Sequence, residues 1–324
     1  MPNTLRNSDA MLLAQALQWH TAKADSYIVT VSNTWGSAPR PIGSLLVMNA
    51  DGHYSGSVSG GCIEQDLIAR CQQGEWQALS KPCLVSYGVS ATEAAHFGLP
   101  CGGRLELVIE RVAANPDWLG LLEALNAGQL VERQLDLQSG HSRLILVSQA
   151  ANQPTFSLEQ TLLRKIFGSQ WRMLLIGANQ LAHYVAQFAL ALDYDVLVCD
   201  PRTDSEFVWT LPQVPVSRIM PDDAVAELRH YQRSIILSLS HDPKLDDMAL
   251  MQALHTDAFY IGALGSKASS DKRRACLRQL DISETELSKL HAPVGLAIGS
   301  RTPAEIAIAI LADLTARRNA YADA

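Results

Sequence analysis

Two cysteines in this sequence stand beside paired glycines, and chemistry is first expected there. In Ser57-Val58-Ser59-Gly60-Gly61-Cys62-Ile63-Glu64 a strand pattern ends and a helical pattern begins. Gly60 and Gly61 let the backbone pass close to a ligand and adopt positive φ. Amides at a helix start lack intrahelical acceptors and favour an anion. Cys62 falls in that first turn, where the helix end favours a thiolate, and Glu64 works against it. Cys101-Gly102-Gly103-Arg104 is the second such loop. A strand follows it, so no helix end assists, but Arg104 favours a thiolate or a bound anion. A third loop, Thr34 to Gly43, holds Arg40 between Pro39 and Pro41, a stiffened arginine suited to phosphate or carboxylate. Taken singly, each loop reads more simply as a glycine-rich strand connection and each cysteine as an inert thiol. The three together point to a site.

A second constellation lies in the other half of the chain. Leu174-Leu175-Ile176-Gly177-Ala178-Asn179-Gln180-Leu181-Ala182 ends a strand and opens a helix. Asp200 ends the next strand pattern, at the distance of roughly 20 residues expected of a ribose-binding acid. The glycine that lets a pyrophosphate approach is replaced by Asn179, so the pattern argues more strongly for the fold than for a nucleotide. Arg202 follows as a phosphate ligand or a solvated charge. Ser240-His241-Asp242, with Asp246 beyond, and Gly262-Ala263-Leu264-Gly265-Ser266-Lys267 end later strands on the same sheet edge. Gly265, the Ser266 cap and Lys267 make an anion site. His241 suits a metal or a proton, although a hydrogen-bonded structural histidine is the plainer reading. Thr302, Pro303 and Glu305 form a helix start with a capping box.

These residues need elements to hold them. Apolar spacing over Ser8–Ala24 predicts a helix. Tyr27–Ser32, Ser44–Met48, Tyr54–Val58, Leu84–Tyr87, Leu105–Arg111, Gln129–Leu137 and Ser142–Val147 predict strands, with helices at Gly61–Gln73 and Asp117–Asn126. That half is α+β. Ser148 to Phe156 is polar and aperiodic and holds a proline, which places a domain boundary there. Beyond it, apolar runs at Met173–Ile176, Val196–Cys199, Val214–Ile219, Ser234–Leu239 and Phe259–Ile261 alternate with helical patterns. Alternation predicts a parallel sheet with right-handed crossovers. The expected fold class is therefore α/β: an N-terminal α+β domain over residues 1–150, then a Rossmann-like, doubly wound parallel-sheet domain over 151–324.

Bulk properties bound the function. The 324 residues are 48% hydrophobic and 18% charged, with a net charge of −7. An acidic chain is not a general nucleic-acid binder. No apolar run approaches the roughly 18 residues of a membrane span. The start of the chain lacks a signal-peptide core, so a cytoplasmic protein is expected. None of the six cysteines forms a CxxC pair, which argues against structural zinc.

Several of these stretches resemble one family. Gly36-Ser37-Ala38-Pro39-Arg40, then Ser57 to Cys62 with Glu64, resemble the N-terminal signature of the XdhC/CoxI family. Cys101-Gly102-Gly103-Arg104 resembles its second cysteine loop. Asp200-Pro201-Arg202, Ser240-His241-Asp242, Gly262 to Ser266, His291 to Gly299 and Thr302-Pro303-Ala304-Glu305 resemble its Rossmann-like C-terminal domain. Each motif is weak alone, but the ordered set is specific. The resemblance implies a chaperone that binds the molybdenum cofactor, as Mo-molybdopterin or its dinucleotide form. It would support the cofactor's sulfuration and insertion into a molybdenum hydroxylase of the xanthine dehydrogenase or aldehyde oxidoreductase type. Implied partners are that client, a cysteine desulfurase, cofactor biosynthesis enzymes and a second copy of the chain. On this view Cys62 and Cys101 flank the molybdenum or carry sulfur. Arg40, Gly60, Gly61, Gly102, Gly103 and Arg104 hold phosphate or pterin, with Gly177, Asp200, Arg202, His241, Gly265 and Ser266 as further cofactor contacts. Relatives more often carry glycine at the position of Asn179. Two alternatives stay open: an NAD(P)-dependent oxidoreductase, and an interaction or regulatory module without a cofactor.

Overall fold

The computed structural model describes residues 7–35, 40–88, 104–147, 154–203, 207–228 and 231–322. The chain divides into two compact units, Ser8–Gly168 and Ser169–Ala324.

The first unit is built on a five-stranded antiparallel sheet. Its strands are β1 (Ser26–Trp35), β2 (Leu45–Asn49), β3 (Tyr54–Gly56), β4 (Cys83–Tyr87) and β5 (Arg104–Arg111), in the order β3-β2-β1-β5-β4. β2 is buried at every position and β1 over its first seven, so both faces of the central strands are covered. Helix α1 (Ser8–Thr21) packs on β2 through Ala10, Leu13 and Ala16. Helix α2 (Cys62–Gln72) buries Ile63, Leu67 and Cys71, one turn apart, against Val29, Val31, Leu46 and Leu107. Helix α3 (Asp117–Asn126) leads to a smaller antiparallel sheet of β6 (Val131–Asp136), β7 (Ser142–Leu146), β8 (Phe156–Glu159) and β9 (Leu162–Phe167), in the order β7-β6-β9-β8. A buried bidentate ion pair ties the two sheets: Arg133 on β6 donates to Glu110 on β5 at 2.9 and 2.6 Å, and its guanidinium lies 3.8 Å from the Trp118 ring centre.

The domain boundary differs from the expected one at residues 150 and 151. β8 and β9 form a hairpin, and β9 pairs with β6, so the antiparallel unit continues to Gly168. The strand pattern of β9 is hidden in the sequence because Lys165 occupies a buried position between Leu163 and Phe167. Its ammonium is satisfied there by Asp9 at 2.9 Å and by the Phe167 ring.

The second unit holds six parallel strands: β10 (Trp171–Ile176), β11 (Tyr194–Cys199), β12 (Val216–Ser217), β13 (Ser234–Ser238), β14 (Tyr260–Ala263) and β15 (Leu290–His291). Their order is β12-β11-β10-β13-β14-β15, that of dinucleotide-binding folds. One face is covered by α4 (Gln180–Ala191) and α9 (Pro303–Ala322), through Leu181, Val185, Ala307, Ile310 and Leu314. The other is covered by α5 (Pro221–Ala226), α6 (Pro243–Leu254), α7 (Lys267–Gln279) and α8 (Glu284–Leu287), through Val225, Leu250, Leu254, Leu277 and Leu287. The expected α/β class, an α+β unit before a doubly wound Rossmann-like unit, is thus observed. No helix among the described residues is long and apolar enough to cross a membrane.

Candidate functional site

Pairing register brings the loops of the first unit to one end of its sheet. β1 ends at Trp35, opposite Arg104 at the start of β5. β4 ends at Tyr87, opposite Leu105. The end of β3, Gly56, pairs with Leu46, and the Ser57 N–H donates to the Leu45 carbonyl at 3.1 Å. Three connections therefore open at this edge: the Arg40 loop after β1, the loop before Cys62, and the connection from Gly88 to Arg104 that contains Cys101. Residues 36–39 and 89–103 lie outside the described ones, so Cys101, Gly102 and Gly103 carry no structural account. Arg40 is exposed. Arg104 stacks over the Trp35 ring at 4.9 Å and pairs with Glu106 at 2.6 Å.

Cys62 is the first residue of α2 and is exposed. Asp66 follows it one turn later on the same side of the helix. Asp66 accepts the Tyr87 hydroxyl at 2.6 Å, and Arg70 donates to the Tyr87 oxygen at 3.0 Å. The side of α2 that carries Cys62 is thus tied to the strand end from which the Cys101 loop departs.

The loop ahead of Cys62 departs from expectation in one respect. Its amides do point to a common centre, but Glu64 fills that centre. Glu64 Oε1 accepts from the Ser57 hydroxyl (2.8 Å) and from the N–H groups of Val58 (2.8 Å), Ser59 (2.7 Å) and Gly60 (2.9 Å). Oε2 accepts from the Gly61 N–H at 2.8 Å and from the Ser59 hydroxyl. Burial alone would raise this carboxyl, yet the donors of Ser59, Gly60 and Gly61 outweigh it and hold it well below the usual carboxylate range. The expectation that Gly60 and Gly61 cradle an external anion is corrected accordingly: in this structure the protein supplies the anion itself. The spacing that signals it is Gly61 at the helix cap with glutamate three residues on, half of a capping box. Gly60, at φ +90°, needs glycine for its conformation. Among the described residues, a Cβ at either Gly60 or Gly61 would meet nothing within 4 Å.

The candidate residues of the second unit gather at the carboxyl edge of the parallel sheet. Gly177 has φ +101°, and a Cβ there would lie 2.4 Å from Ser240 Cα, so glycine is required by close approach of two backbones. Asp200 is fully buried. Its carboxylate accepts from the Ala178 N–H at 2.8 Å and from Arg202 through Nε (2.9 Å), Nη2 (2.8 Å) and the backbone N–H (3.1 Å). Burial opposes ionisation, but these donors keep the carboxyl below its ordinary value. Asp200 therefore pins the glycine turn rather than facing outward to a ribose, which corrects its expected role. Asn179 caps α4 by accepting from the Ala182 N–H at 3.0 Å, and it donates to the Leu239 carbonyl at 2.6 Å. It bridges the crevice between β10 and β13, where dinucleotides enter such sheets.

His241 is exposed and left-handed at φ +62°, an uncommon conformation for a residue with a side chain. Below it Ser240 donates to Asp246 at 2.8 Å, and Asp246 pairs with Arg273 at 3.0 Å. Burial raises the Asp246 carboxyl, with Ser240 and Arg273 acting against the rise. The sequence pattern offered Ser240 and Asp246 but no sign of a triad with Arg273, which stands on α7, 27 residues from Asp246. Gly265 precedes Ser266, whose hydroxyl caps α7 by accepting from the Ser269 N–H at 3.1 Å. An open groove of 480 Å³ over Arg70, Trp76, Cys83 and Val85 includes none of the expected site residues. Among the described residues, no three His, Cys, Asp or Glu side chains group as a metal site.

Comparison with known proteins agrees with this layout. Residues 19–88 match the model of the XdhC and CoxI family, and residues 173–314 match that of the XdhC Rossmann domain. The chain is 27% identical to the molybdenum cofactor insertion chaperone PaoD of Escherichia coli K12, over 90% of this chain and 83% of that protein. It is 24% identical to a protein of Bacillus subtilis 168 named as a probable xanthine dehydrogenase subunit, over 92% and 94% of the two chains. A crystal structure described as a xanthine dehydrogenase from Bacillus halodurans shares the fold with a TM-score of 0.77, at 24% identity over 97% of this chain and 96% of that one. One model is matched in each unit: the chain carries an XdhC and CoxI family domain followed by an XdhC Rossmann domain.

Proposed function

We propose that this protein binds the molybdenum cofactor, supports its sulfuration and delivers it to a molybdenum hydroxylase. The similarity to a molybdenum cofactor insertion chaperone supports a role in maturing that cofactor. The observation that carries the reading is the placement of Cys62: an exposed thiol at the head of α2, on the helix side bonded to the strand end where the Cys101 loop begins. The cofactor is cargo here. It brings its metal already ligated by a dithiolene, so a single protein thiol beside it is sufficient and a three-residue metal site is not required. Cys62 would contact the molybdenum or hold the sulfur, with Cys101 as its counterpart. Arg40 and Arg104, cations at the same edge, would meet the cargo's phosphate. Glu64 already occupies the amide nest, so arginine is left as the charge complement for that phosphate.

The finer parts of the proposal follow from the family. The client would be of the xanthine dehydrogenase or aldehyde oxidoreductase type, the sulfur source a cysteine desulfurase, the active form a homodimer, and the compartment the cytoplasm. The experiment is anaerobic co-purification from cells that make the cofactor, read out as molybdenum by metal analysis and as the fluorescent oxidised pterin. Cys62→Ala and Cys101→Ala are each expected to lower the bound molybdenum. Unchanged occupancy and unchanged client activation in both variants would overturn the assignment.

A further inference from the structure

We infer that Glu64 is the positioning residue of the Cys62 loop, a built-in anion that fills the amide nest at the head of α2 and thereby fixes where the thiol is presented. The inference rests on the reading of Cys62 as the cargo contact and extends it to the residue that sets its position. Six donors from five consecutive residues, Ser57 to Gly61, converge on one buried carboxylate. Among the described residues no side chain packs over the two glycines, a Cβ on either meeting nothing within 4 Å, and apart from the Gln65 N–H on the Gly61 carbonyl their bonds run to Glu64. A loop of this composition has high backbone entropy when unrestrained. Between the buried Val58 and the helix start, its conformation therefore depends on the Glu64 bonds. Ile63, which intervenes between Cys62 and Glu64, is fully buried and fixes the helix start on the sheet. Cys62 is thus held between a packed residue after it and an anchored, sterically open turn before it. The filled nest prevents a phosphate from docking there in a competing pose.

The test uses the full chain and needs no molybdenum, so its outcome is separate from that of cofactor binding. Amide hydrogen exchange is followed at Ser59, Gly60 and Gly61, together with the rate of Cys62 alkylation by iodoacetamide and the thermal midpoint. In the wild type these surface amides are expected to exchange slowly. Glu64→Ala should accelerate their exchange by at least about tenfold and alter the alkylation rate. Formate, a free carboxylate able to enter the emptied nest, should reverse both changes. Sodium chloride at equal ionic strength should not. Restoration by formate separates an anchoring carboxylate from a residue that merely fills space. Fast exchange in the wild type, or a Glu64→Ala protein indifferent to formate, would overturn the inference. Should Glu64→Ala fail to fold, Glu64→Gln fills the same volume with one acceptor oxygen in place of two. It should loosen the loop without responding to formate, and wild-type exchange rates in Glu64→Gln would be equally fatal. Cys62→Ala and Cys101→Ala proteins that both keep their molybdenum and activate the client unchanged, while Glu64 behaves as described, would remove the proposed function and leave the anchor standing.

Discussion

Asn179 and Leu239 are joined across the mouth of the parallel sheet, the asparagine amide donating to the leucine carbonyl at 2.6 Å. The same side chain caps α4 through Ala182. One residue thereby replaces what a glycine and a bound pyrophosphate supply in a dinucleotide fold: an acceptor for a helix-start amide and a link between two strand-end loops.

Asn179→Ala is expected to destabilise the second unit by about 1–2 kcal/mol, the usual cost of losing a helix cap plus a partly buried hydrogen bond. Urea unfolding followed by circular dichroism measures it. A shift below about 0.3 kcal/mol would mean that neither bond contributes. Fluorescence titration of the wild type with NADH and NADPH is expected to give no saturable binding, since Asp200 and Asn179 are both engaged within the protein.

How much of this was legible in the sequence depends on where each signal lay. The parallel sheet announced itself because strands such as Met173–Ile176 and Ser234–Ser238 are apolar runs buried on both faces. Its edge residues were found because chain order places strand ends together. β9 was missed because a buried lysine broke its apolar alternation, and its satisfaction by Asp9 is a contact far away in sequence. β15 was missed because two residues carry no periodicity. Glu64 was read as a charge acting against a thiolate. Local sequence does not say whether a carboxylate turns outward or folds back onto five preceding residues. Asp200 and Arg202 likewise looked like ligand groups, and only the backbone path shows that each satisfies the other.

The buried pair of Arg133 and Glu110 makes a sharper stability prediction. Both side chains are nearly inaccessible, at 2% and 5% exposure. Glu110→Ala leaves the guanidinium charge buried and unpaired, and should cost about 3–5 kcal/mol. The double variant Glu110→Leu with Arg133→Met should recover most of that loss, because two apolar groups have no desolvation to offset. Equal losses in the single and double variants, by chemical denaturation, would show that shape rather than charge governs the site.

Burial, assisted by Arg317, holds His291 below its ordinary value of 6.5, with the ring stacked on Tyr260 at 4.2 Å. A histidine with a lowered pKa in the folded state binds fewer protons there than in the unfolded chain. Its contribution to stability is complete above 6.5 and falls as the pH drops from that value towards the folded pKa. His291→Phe keeps the stack and removes the titration. The difference between the two pH profiles of thermal midpoint should therefore open below 6.5, with the wild type losing more. Parallel profiles across that window would sink the assignment.

Thiol accessibility separates the cysteines directly. Cys62 and Cys276 are exposed, whereas Cys71 and Cys199 are buried, and burial pushes the latter two thiols up to about 12. Alkylation requires both contact with reagent and a thiolate. Iodoacetamide at about pH 7.5 should therefore modify Cys62 and Cys276 in the native protein and leave Cys71 and Cys199 intact until urea is added, as read by peptide mass spectrometry. Prior loading with molybdenum cofactor should then slow Cys62 and leave Cys276 unchanged, since only Cys62 lies in the loop proposed to meet the cargo. Equal protection of both thiols would point to a global change in the protein, and protection of neither would remove Cys62 from the cofactor's reach.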